Sequence, residues 1–596
     1  MAPKRKVHRA TSPVRPSPTK RPRIDNGGDN HDFDHSRVAE KYGIVQRDFY
    51  PPEMSNERCE RYNKNEITRP IDALEACIKS TKTARGHMPS GECVVHWFKR
   101  DLRTYDNRAL SLASEKAKSA SIPLICMYII SPQDFQAHCT SAVRVDFELR
   151  TLEVIKTDLE ELDIPLYVAT IDDRRNVIPH ILQRCAEWVA KHLYCNIEYE
   201  VDELRREMKL MKKALDQDIA VNAIHDDVVV PPGDLTTGAG KQYSVYSPYY
   251  RNWVKHVHEH PHLLSESPRP STNPNYTRKE FKSLFDNSSI PSAPENKRME
   301  PEDQKRLASL WPAGEHEALE RLQRFLNEKI TAYKDTRNFP ASNSTSMISP
   351  HLSTGTLGTR TAIRFARDSN TARALDAGNP GIKGWISELV WRDFYKHVLC
   401  HWPYVCMNKS FKYEYTDIEW EYNEEQFDKW CKGQTGFPLV DAAMRQLNTM
   451  GWMHNRCRMV VASFLAKDLL IDWRMGEKYF MEHLIDGDFA SNNGGWGFSA
   501  STGVDPQPYF RIFNPFLQSE KFDEGGEYIR KWVPELAGIE GKAIHDPYNR
   551  GQAKEAEKAG YPRPIVDHSQ ARQKALERYK AGLGRSTANE GGGVHN

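Results

Sequence analysis

CVVHWF (93–98) and PLICMYII (123–130) open a run of short apolar segments that decides the fold. Both are rich in β-forming residues and continuous rather than alternating, the pattern of strands buried on both faces. IPLYVAT (164–170), HLYCNIEY (192–199) and AVNAIH (220–225) repeat it. Between them lie helical patterns; over 143–162, Val145, Leu149, Leu152, Ile155 and Leu159 mark one face. Strand, helix and strand at this spacing predict a parallel sheet with helices on both faces, a Rossmann-like α/β domain over 91–226. No G-x-G-x-x-G follows the first strand, so a dinucleotide site of the usual kind is not expected there.

Downstream the rhythm changes. VVVPPGDLTTGAGKQYSVYSPYYRNW (228–253) mixes Pro, Gly and Tyr, and 265–300 is rich in Ser, Pro and Asn, so 227–300 reads as a connector wrapping between domains. From there to 575 the chain reads as all-α, and 576–596 as a disordered tail. Upstream, residues 1–24 carry eight Lys and Arg and no acid. Such a segment cannot bury a core, and 1–90 is expected to be a basic, disordered extension with at most a short helix near 70–80. Its clusters KRK and KRPR resemble a bipartite nuclear localisation signal. A generic basic tail and a mitochondrial presequence are the alternatives, the prolines counting against the latter.

At 596 residues the chain exceeds one ordinary core, and 39% hydrophobic with 28% charged residues fits a soluble multidomain protein. No run approaches the ~20 apolar residues of a membrane span. Eleven cysteines without a C-x-x-C pair argue for a reducing compartment, against a disulfide framework and against a zinc site.

DGDFASNNGGW (486–496) concentrates the polar chemistry. Asp486 and Asp488 flank a glycine on a tight turn, and Gly494 and Gly495 let the backbone approach a ligand. A surface loop, or an Asp-x-Asp site for a hard cation, would read alike. Two Trp/Arg stripes add weight. In WISELVWRDFY (385–395), Trp385, Glu388, Trp391, Arg392 and Tyr395 share a helix face, while Leu389, Val390 and Phe394 point away from it. In 451–470, Trp452, Asn455, Arg456 and Met459 do the same. Arg suits phosphates and Trp suits a stacked base. TSMISPHLSTGTLG (345–358) offers small hydroxyl donors ahead of a helix start, which suits a diphosphate.

WISELVWRDFY, the run TGFPLVDAAMRQ…DFASNNGGW (435–496) and STGVDPQPYFRIFNP (501–515) resemble the photolyase/cryptochrome family. They look most like its class I cyclobutane pyrimidine dimer photolyases of fungi and bacteria, from about Cys93 to 570. The resemblance implies FAD in the helical domain and UV-damaged DNA as partner, with the protein acting as a monomer. It also implies light-driven electron transfer to a dimer flipped out of the duplex. By similarity Tyr333, Thr345, Ser346, Met347, Ile348, Ser349, Arg392, Asp486, Gly487, Asp488 and Asn492 hold FAD. Asp486 and Asp488 are expected either to accept hydrogen bonds from it or to pair with Arg392. Glu388, Trp391, Asn492 and Met459 are the implied catalytic residues. Arg337, Glu388, Trp391, Tyr395, Trp452, Asn455 and Arg456 are the implied DNA contacts.

Trp420, Trp473 and Trp496 match the family's electron-transfer triad. His138, Asp202, Glu203 and Cys406 match an antenna site for 5,10-methenyltetrahydrofolate, with a deazaflavin as the alternative. Gly497 and Phe498 depart from the aromatic-rich continuation of bacterial members, which puts the packing beside Trp496 in doubt. Met459 stands where (6-4) photolyases use histidine, which favours the cyclobutane lesion. Two other functions compete: a cryptochrome photoreceptor, and a helical nucleic-acid-binding protein with a metal-binding Asp-x-Asp turn.

Overall fold

A computed structural model describes residues 55–286, 289–505 and 511–591, with side chains to Gly584. The basic segment read as a localisation signal lies outside the described residues. The apolar runs form five strands: β1 (Cys93–Phe98), β2 (Leu124–Ile130), β3 (Leu166–Thr170), β4 (Ala190–Asn196) and β5 (Ala220–Ile224). All are parallel, in the order β3-β2-β1-β4-β5. β1 is the centre, buried at all six positions. Its even residues, Val94 and Phe98, pack with Leu110, Leu152 and Ile155 on one face. Its odd residues, Cys93, Val95 and Trp97, pack with Ile181, Leu204 and Met211 on the other. That two-sided burial is why the strands read as unbroken apolar runs. Beyond β5 the described residues contain only helices, turns and loops.

The structure corrects the boundaries. Residues 55–90 are not a disordered extension, because the helices Asn56–Asn63, Pro70–Ser80 and Lys82–Gly86 form there. Cys59 and Tyr62 pack with Leu399, Tyr404 and Cys406 of the helical domain, and Ile71 and Leu74 join the core beneath the sheet. Arg69 Nε donates to His401 O (2.8 Å). These few apolar residues, diluted among charges, find partners only in the folded protein. The C-terminal stretch is likewise no loose tail. One helix spans His568–Gly591, and its Ala575 and Tyr579 are buried against Ile418 and Leu470.

The connector is packed at both ends. Its helix Tyr246–Glu259 buries Tyr249 and Trp253, and Asp393 accepts from Trp253 Nε1 (3.1 Å) and Val229 N (2.9 Å). Further on, Asn273 returns to the sheet, with Oδ1 accepting from Leu124 N and Nδ2 donating to Leu124 O, both 2.8 Å.

The two domains meet over buried charge. Asp106 and Asp226, at most 1% exposed, sit among Arg103, Arg360 and Arg364. Arg103 also donates to Gly355 O (3.0 Å). Gly355 takes φ +76°, and a Cβ there would lie 2.0 Å from Arg100 O. Gly355→Ala therefore combines left-handed strain with a backbone clash. We expect it to lower the unfolding free energy by about 2 kcal/mol or more, read as a lower thermal midpoint.

Candidate active site

The helix Pro380–His401 is the axis of the site. Asn379 caps it, accepting from Gly381 N and Ile382 N, and Pro380 occupies the first turn, where its missing N–H does no harm. Leu389, Val390 and Phe394 are buried as expected. The Trp/Arg stripe is not a solvent face, however. Trp385 is buried with its indole N–H on Ser346 Oγ (3.4 Å), and Arg392 is buried too. Arg392 donates to Asp227 O (2.6 Å), Thr359 Oγ1 (3.1 Å) and Leu352 O (3.3 Å), and pairs with the Asp227 carboxylate.

DGDFASNNGGW is a turn only to Asp488. From there it is the helix Phe489–Ala500, capped by Asp488, whose Oδ1 accepts from Ser491 N (2.8 Å). A side chain that accepts in the first turn supplies the start signal that turn-rich composition hid. The two carboxylates diverge to different cations, and neither pairs with Arg392. Asp486 takes Arg458 on both oxygens (3.1 and 2.8 Å). Asp488 takes Lys396 at 2.8 Å, and Lys396 also reaches Asp227 (3.4 Å) and Glu200 (4.0 Å). Burial opposes the charged form of Lys396, but Asp488, Asp227 and Glu200 outweigh it and raise its pKa. Burial also opposes the charged form of Asp488, and Lys396 with Arg392 holds that carboxyl far below its usual range.

A cleft of about 560 Å³ opens beside this turn, lined by Asn455, Arg458, Met459, Asp486, Asp488, Ser491, Asn492, Gly495 and Trp496. Asn492 Nδ2 donates to Glu477 O (2.9 Å), which fixes the amide at the wall. Of the glycine pair, only Gly495 borders open space, since a Cβ there meets nothing within 4 Å. The space at Gly494 is taken by Tyr395, whose ring would lie 2.2 Å from an added Cβ. Gly497, the departure from the bacterial pattern, lies against Gly503 with its Cβ position 2.9 Å from Gly503 Cα. No larger residue fits that backbone contact.

Residues 345–349 form the adjoining wall. Met347 takes φ +51°, and the short helix Ser349–Thr354 follows. Trp452 Nε1 donates to Ser349 Oγ (3.1 Å). Trp452 precedes the helix Asn455–Ser463 rather than sharing its face, and is only 8% exposed. That leaves it little surface for DNA; it props the wall. Tyr333 is buried edge-on to Phe325, which also packs on Trp385.

On the helix Pro380–His401, one turn before Arg392, Glu388 pairs with Arg337. Burial pushes the Glu388 carboxyl above its ordinary range, and Arg337 pulls it only part of the way back. Trp391 is half-buried and stacks on Tyr246, centroids 3.6 Å apart and 10° from parallel, with Tyr395 at 5.4 Å. Asn455 is exposed, and Arg456 donates twice to Asn338 Oδ1 (3.3 and 2.7 Å).

Trp496 and Trp473 are 2% and 3% exposed, whereas Trp420 is half-buried, edge-on to Tyr579 at 5.9 Å. Trp496 lines the cleft. Trp473 and Trp496 belong to one buried core, and Trp420 packs against it from a partly exposed position.

His138, Asp202, Glu203 and Cys406 come together in a second region between the domains. His138, Asp202 and Cys406 line one pocket, and His138 and Glu203 join Gly487 and Phe489 around a larger one of about 770 Å³. The larger one is walled by Phe98, Tyr128 and Glu198, at the carboxyl ends of β1, β2 and β4, where parallel sheets receive ligands. Gly487 belongs to this wall rather than to the cleft beside Asp486. His138 lies 2.7 Å from Glu203. Burial opposes its protonation, but Glu203 and Asp202 prevail and raise its pKa to about 9.

Lys396, Asp227 and Tyr246 escaped the sequence reading. Lys396 stands four residues after Arg392 on the same helix, and Asp227 just follows β5, a position where α/β proteins place functional groups. Tyr246 carried no local signal.

Family models match the chain twice: "DNA photolyase" over residues 94–271 and "FAD binding domain of DNA photolyase" over 385–581. A Neurospora crassa deoxyribodipyrimidine photo-lyase is 58% identical, over 92% of this chain and 91% of its own. The Escherichia coli enzyme of that name is 39% identical, over 81% of this chain and 98% of its own. A bacterial class III photolyase from Agrobacterium tumefaciens superposes with TM-score 0.71 at 32% identity, covering 83% of this chain and 98% of that one.

Lys396→Met would leave up to three carboxylates without their shared cation. We expect a loss of about 3–5 kcal/mol at pH 7 by denaturant unfolding. Because the Asp488 pKa is depressed in the fold, its contribution is present above the ordinary carboxylate range and fades as pH falls below about 4. The gap between variant and wild type should therefore close in acid.

Proposed function

The chain belongs to the photolyase/cryptochrome family, and from that premise we propose how its residues divide the work of light-dependent repair of pyrimidine dimers in DNA. It is a deoxyribodipyrimidine photo-lyase by kinship with enzymes of that name, and it carries their FAD-binding domain. Bound FAD supplies the light absorption and the electron that splits the dimer. The cleft suits that group: the open space at Gly495 admits a flat ring system, and the Asp486, Asp488 and Asn492 side chains offer acceptors along one wall. Arg392, Lys396 and Arg458 offset the carboxylates Asp227, Asp488 and Asp486, so the cleft wall is polar without an unpaired negative charge beside the cofactor. Thr345, Ser346 and Ser349, with Tyr333, close the adjoining wall, Ser346 and Ser349 being oriented by Trp385 and Trp452.

The observation that carries the lesion assignment is Met459 on the cleft wall. Trp391, held flat by Tyr246, packs against the extruded dimer. Arg337 serves Glu388 in the free protein and a DNA phosphate in the complex. Its departure removes the charge that favours ionised Glu388, so the half-buried carboxyl takes up a proton and donates to the dimer. Met459 offers no proton, and its thioether contributes packing. A (6-4) adduct needs an acid to move an oxygen between bases, whereas the cyclobutane dimer needs an electron and two bond cleavages. Asn455 and Arg456 complete the DNA surface. Trp496, Trp473 and Trp420 conduct electrons from the protein surface when the cofactor needs reduction.

His138, Asp202, Glu203 and Cys406 hold an antenna, for which methenyltetrahydrofolate is our choice. A deazaflavin is the alternative; a Sulfolobus tokodaii photolyase solved with two FAD molecules shows that relatives differ in this group. We read residues 1–24 as a nuclear address. A yeast relative 34% identical is named mitochondrial, so both compartments belong in the test. Deleting residues 2–24 should leave repair in vitro intact and deplete the protein from nuclei; unchanged nuclear accumulation would end that reading.

Illuminated protein should restore cyclobutane-damaged DNA and leave (6-4) DNA unrepaired; the reverse result would overturn the lesion assignment. Glu388→Ala should retain FAD and lose about 1 kcal/mol of dimer binding, roughly fivefold, with a lower yield per photon. Because the Glu388 pKa is raised, wild-type yield should fall as pH rises through it, while Glu388→Gln, a permanent donor, should show no such fall.

A further inference from the structure

The helix Ala142–Glu160 of the sheet domain is buried on every side where it begins. Ser141 caps it, its Oγ accepting from Arg144 N (3.1 Å), and Val143 to Glu148 are buried without a break. An amphipathic helix would leave one face to water; here the helical domain covers that face. Val143 and Phe147 pack with Trp452 and Ile485, and Phe147 stands edge-on to His351 at 5.3 Å. Ser141 Oγ donates to Leu484 O (2.7 Å).

Arg144 lies inside this contact, 4% exposed. Its Nε pairs with Glu148 (2.8 Å), one helical turn on. Its Nη2 donates to Ser353 O (2.9 Å), and its Nη1 donates to Gly487 O. Gly487 sits between Asp486 and Asp488, and Ser353 belongs to the short helix that continues the wall 345–349. One guanidinium of the sheet domain therefore ties together two segments that enclose the cleft. Its planar fork offers donors to two carbonyls and a carboxylate at once, which the single point of an ammonium does not.

Holding the Gly487 carbonyl also orients the turn. A trans peptide carries its C=O and the following N–H on opposite edges, so the Asp488 N–H is turned away from the sheet domain. Glycine leaves its own peptide plane free, and a donor from outside the turn is what holds it. With the plane held, the flanking carboxylates diverge to Arg458 and to Lys396. We propose that Arg144 is a positioning residue for the flavin: it keeps the two walls in register, so that Asp486, Asp488 and Asn492 meet the ring system together. The proposal rests on the reading that FAD fills the cleft, and it adds a residue that lines the larger interdomain pocket rather than the cleft itself.

The test follows FAD release from purified holoprotein on dilution, read as free-flavin fluorescence, together with the visible absorption band of the flavin that stays bound. Arg144→Met should weaken FAD binding about tenfold, the scale of one charged hydrogen bond, and alter the fine structure of the bound band. Arg144→Lys keeps a charge beside Glu148 but loses the fork, so it should fold and still hold FAD less tightly than wild type, with the same spectral change. Arg150→Met is the control. Arg150 stands on the same helix, pairs with Asp146 (2.8 Å) and donates to Trp311 O (2.9 Å), apart from the cleft lining. Its loss should lower the melting temperature and leave FAD affinity and spectrum unchanged. A matching loss of FAD in Arg150→Met, an Arg144→Lys protein that equals wild type, or an unchanged bound band in both Arg144 variants would make Arg144 a mere staple between domains and overturn the proposal. Gly495→Leu tests the reading beneath it, because a Cβ there enters open space in the cleft. If Gly495→Leu loses FAD while both Arg144 variants keep it, Arg144 is wrong and the cleft stands. If Gly495→Leu keeps FAD, both fall.

Discussion

Lys396 is the point on which the active site depends. It is 2% exposed, yet it carries a charge into the interior and shares it among three carboxylates from three parts of the chain. Glu200 lines the pocket shared by His138, Asp202 and Cys406, Asp227 stands at the end of the sheet domain, and Asp488 at the head of the helix bearing Asn492 and Trp496. An ammonium in such a place is tolerable only because all three stay ionised around it. The same interaction therefore joins the domains, orients the capped helix and makes the cleft wall polar. Arg392, one helical turn earlier, supports it from behind through Asp227.

Aromatic rings do the complementary work of shaping. Trp385 and Trp452 orient Ser346 and Ser349. Tyr395 fills the notch at Gly494, which locks the helix Phe489–Ala500 against Pro380–His401. Tyr246 does the same for Trp391 from the connector. A stretch that reads as linker thus supplies the backing of Trp391. Rigid backing matters because a flipped base must find its platform already in place; ordering it afterwards would add to the unstacking cost.

The terminal segments show how far amphipathic signal can be diluted. Cys59, Tyr62, Ile71 and Leu74 are four apolar anchors among many charges, and Ala575 and Tyr579 are two more. Composition averaged over such windows resembles a disordered chain. Their burial comes from grooves that already exist on the folded domains, so the helices are stabilised by docking rather than by their own pattern.

The sheet and its order of burial were legible in the sequence, because a strand covered on both faces leaves an unbroken apolar run. The helical character of the second half was legible too, and so was the family, since the long motifs around residues 385–395 and 435–496 are specific. Tertiary structure alone decided the pairings: Asp486 with Arg458, Asp488 with Lys396, and Arg392 with Asp227. It also decided that Gly494 answers to Tyr395 and Gly495 to the cleft. The reason is physical. Periodicity and caps act over a few residues and leave a local trace, whereas a buried charge takes whichever partner the packed domains bring within reach, and separation along the chain says nothing about that.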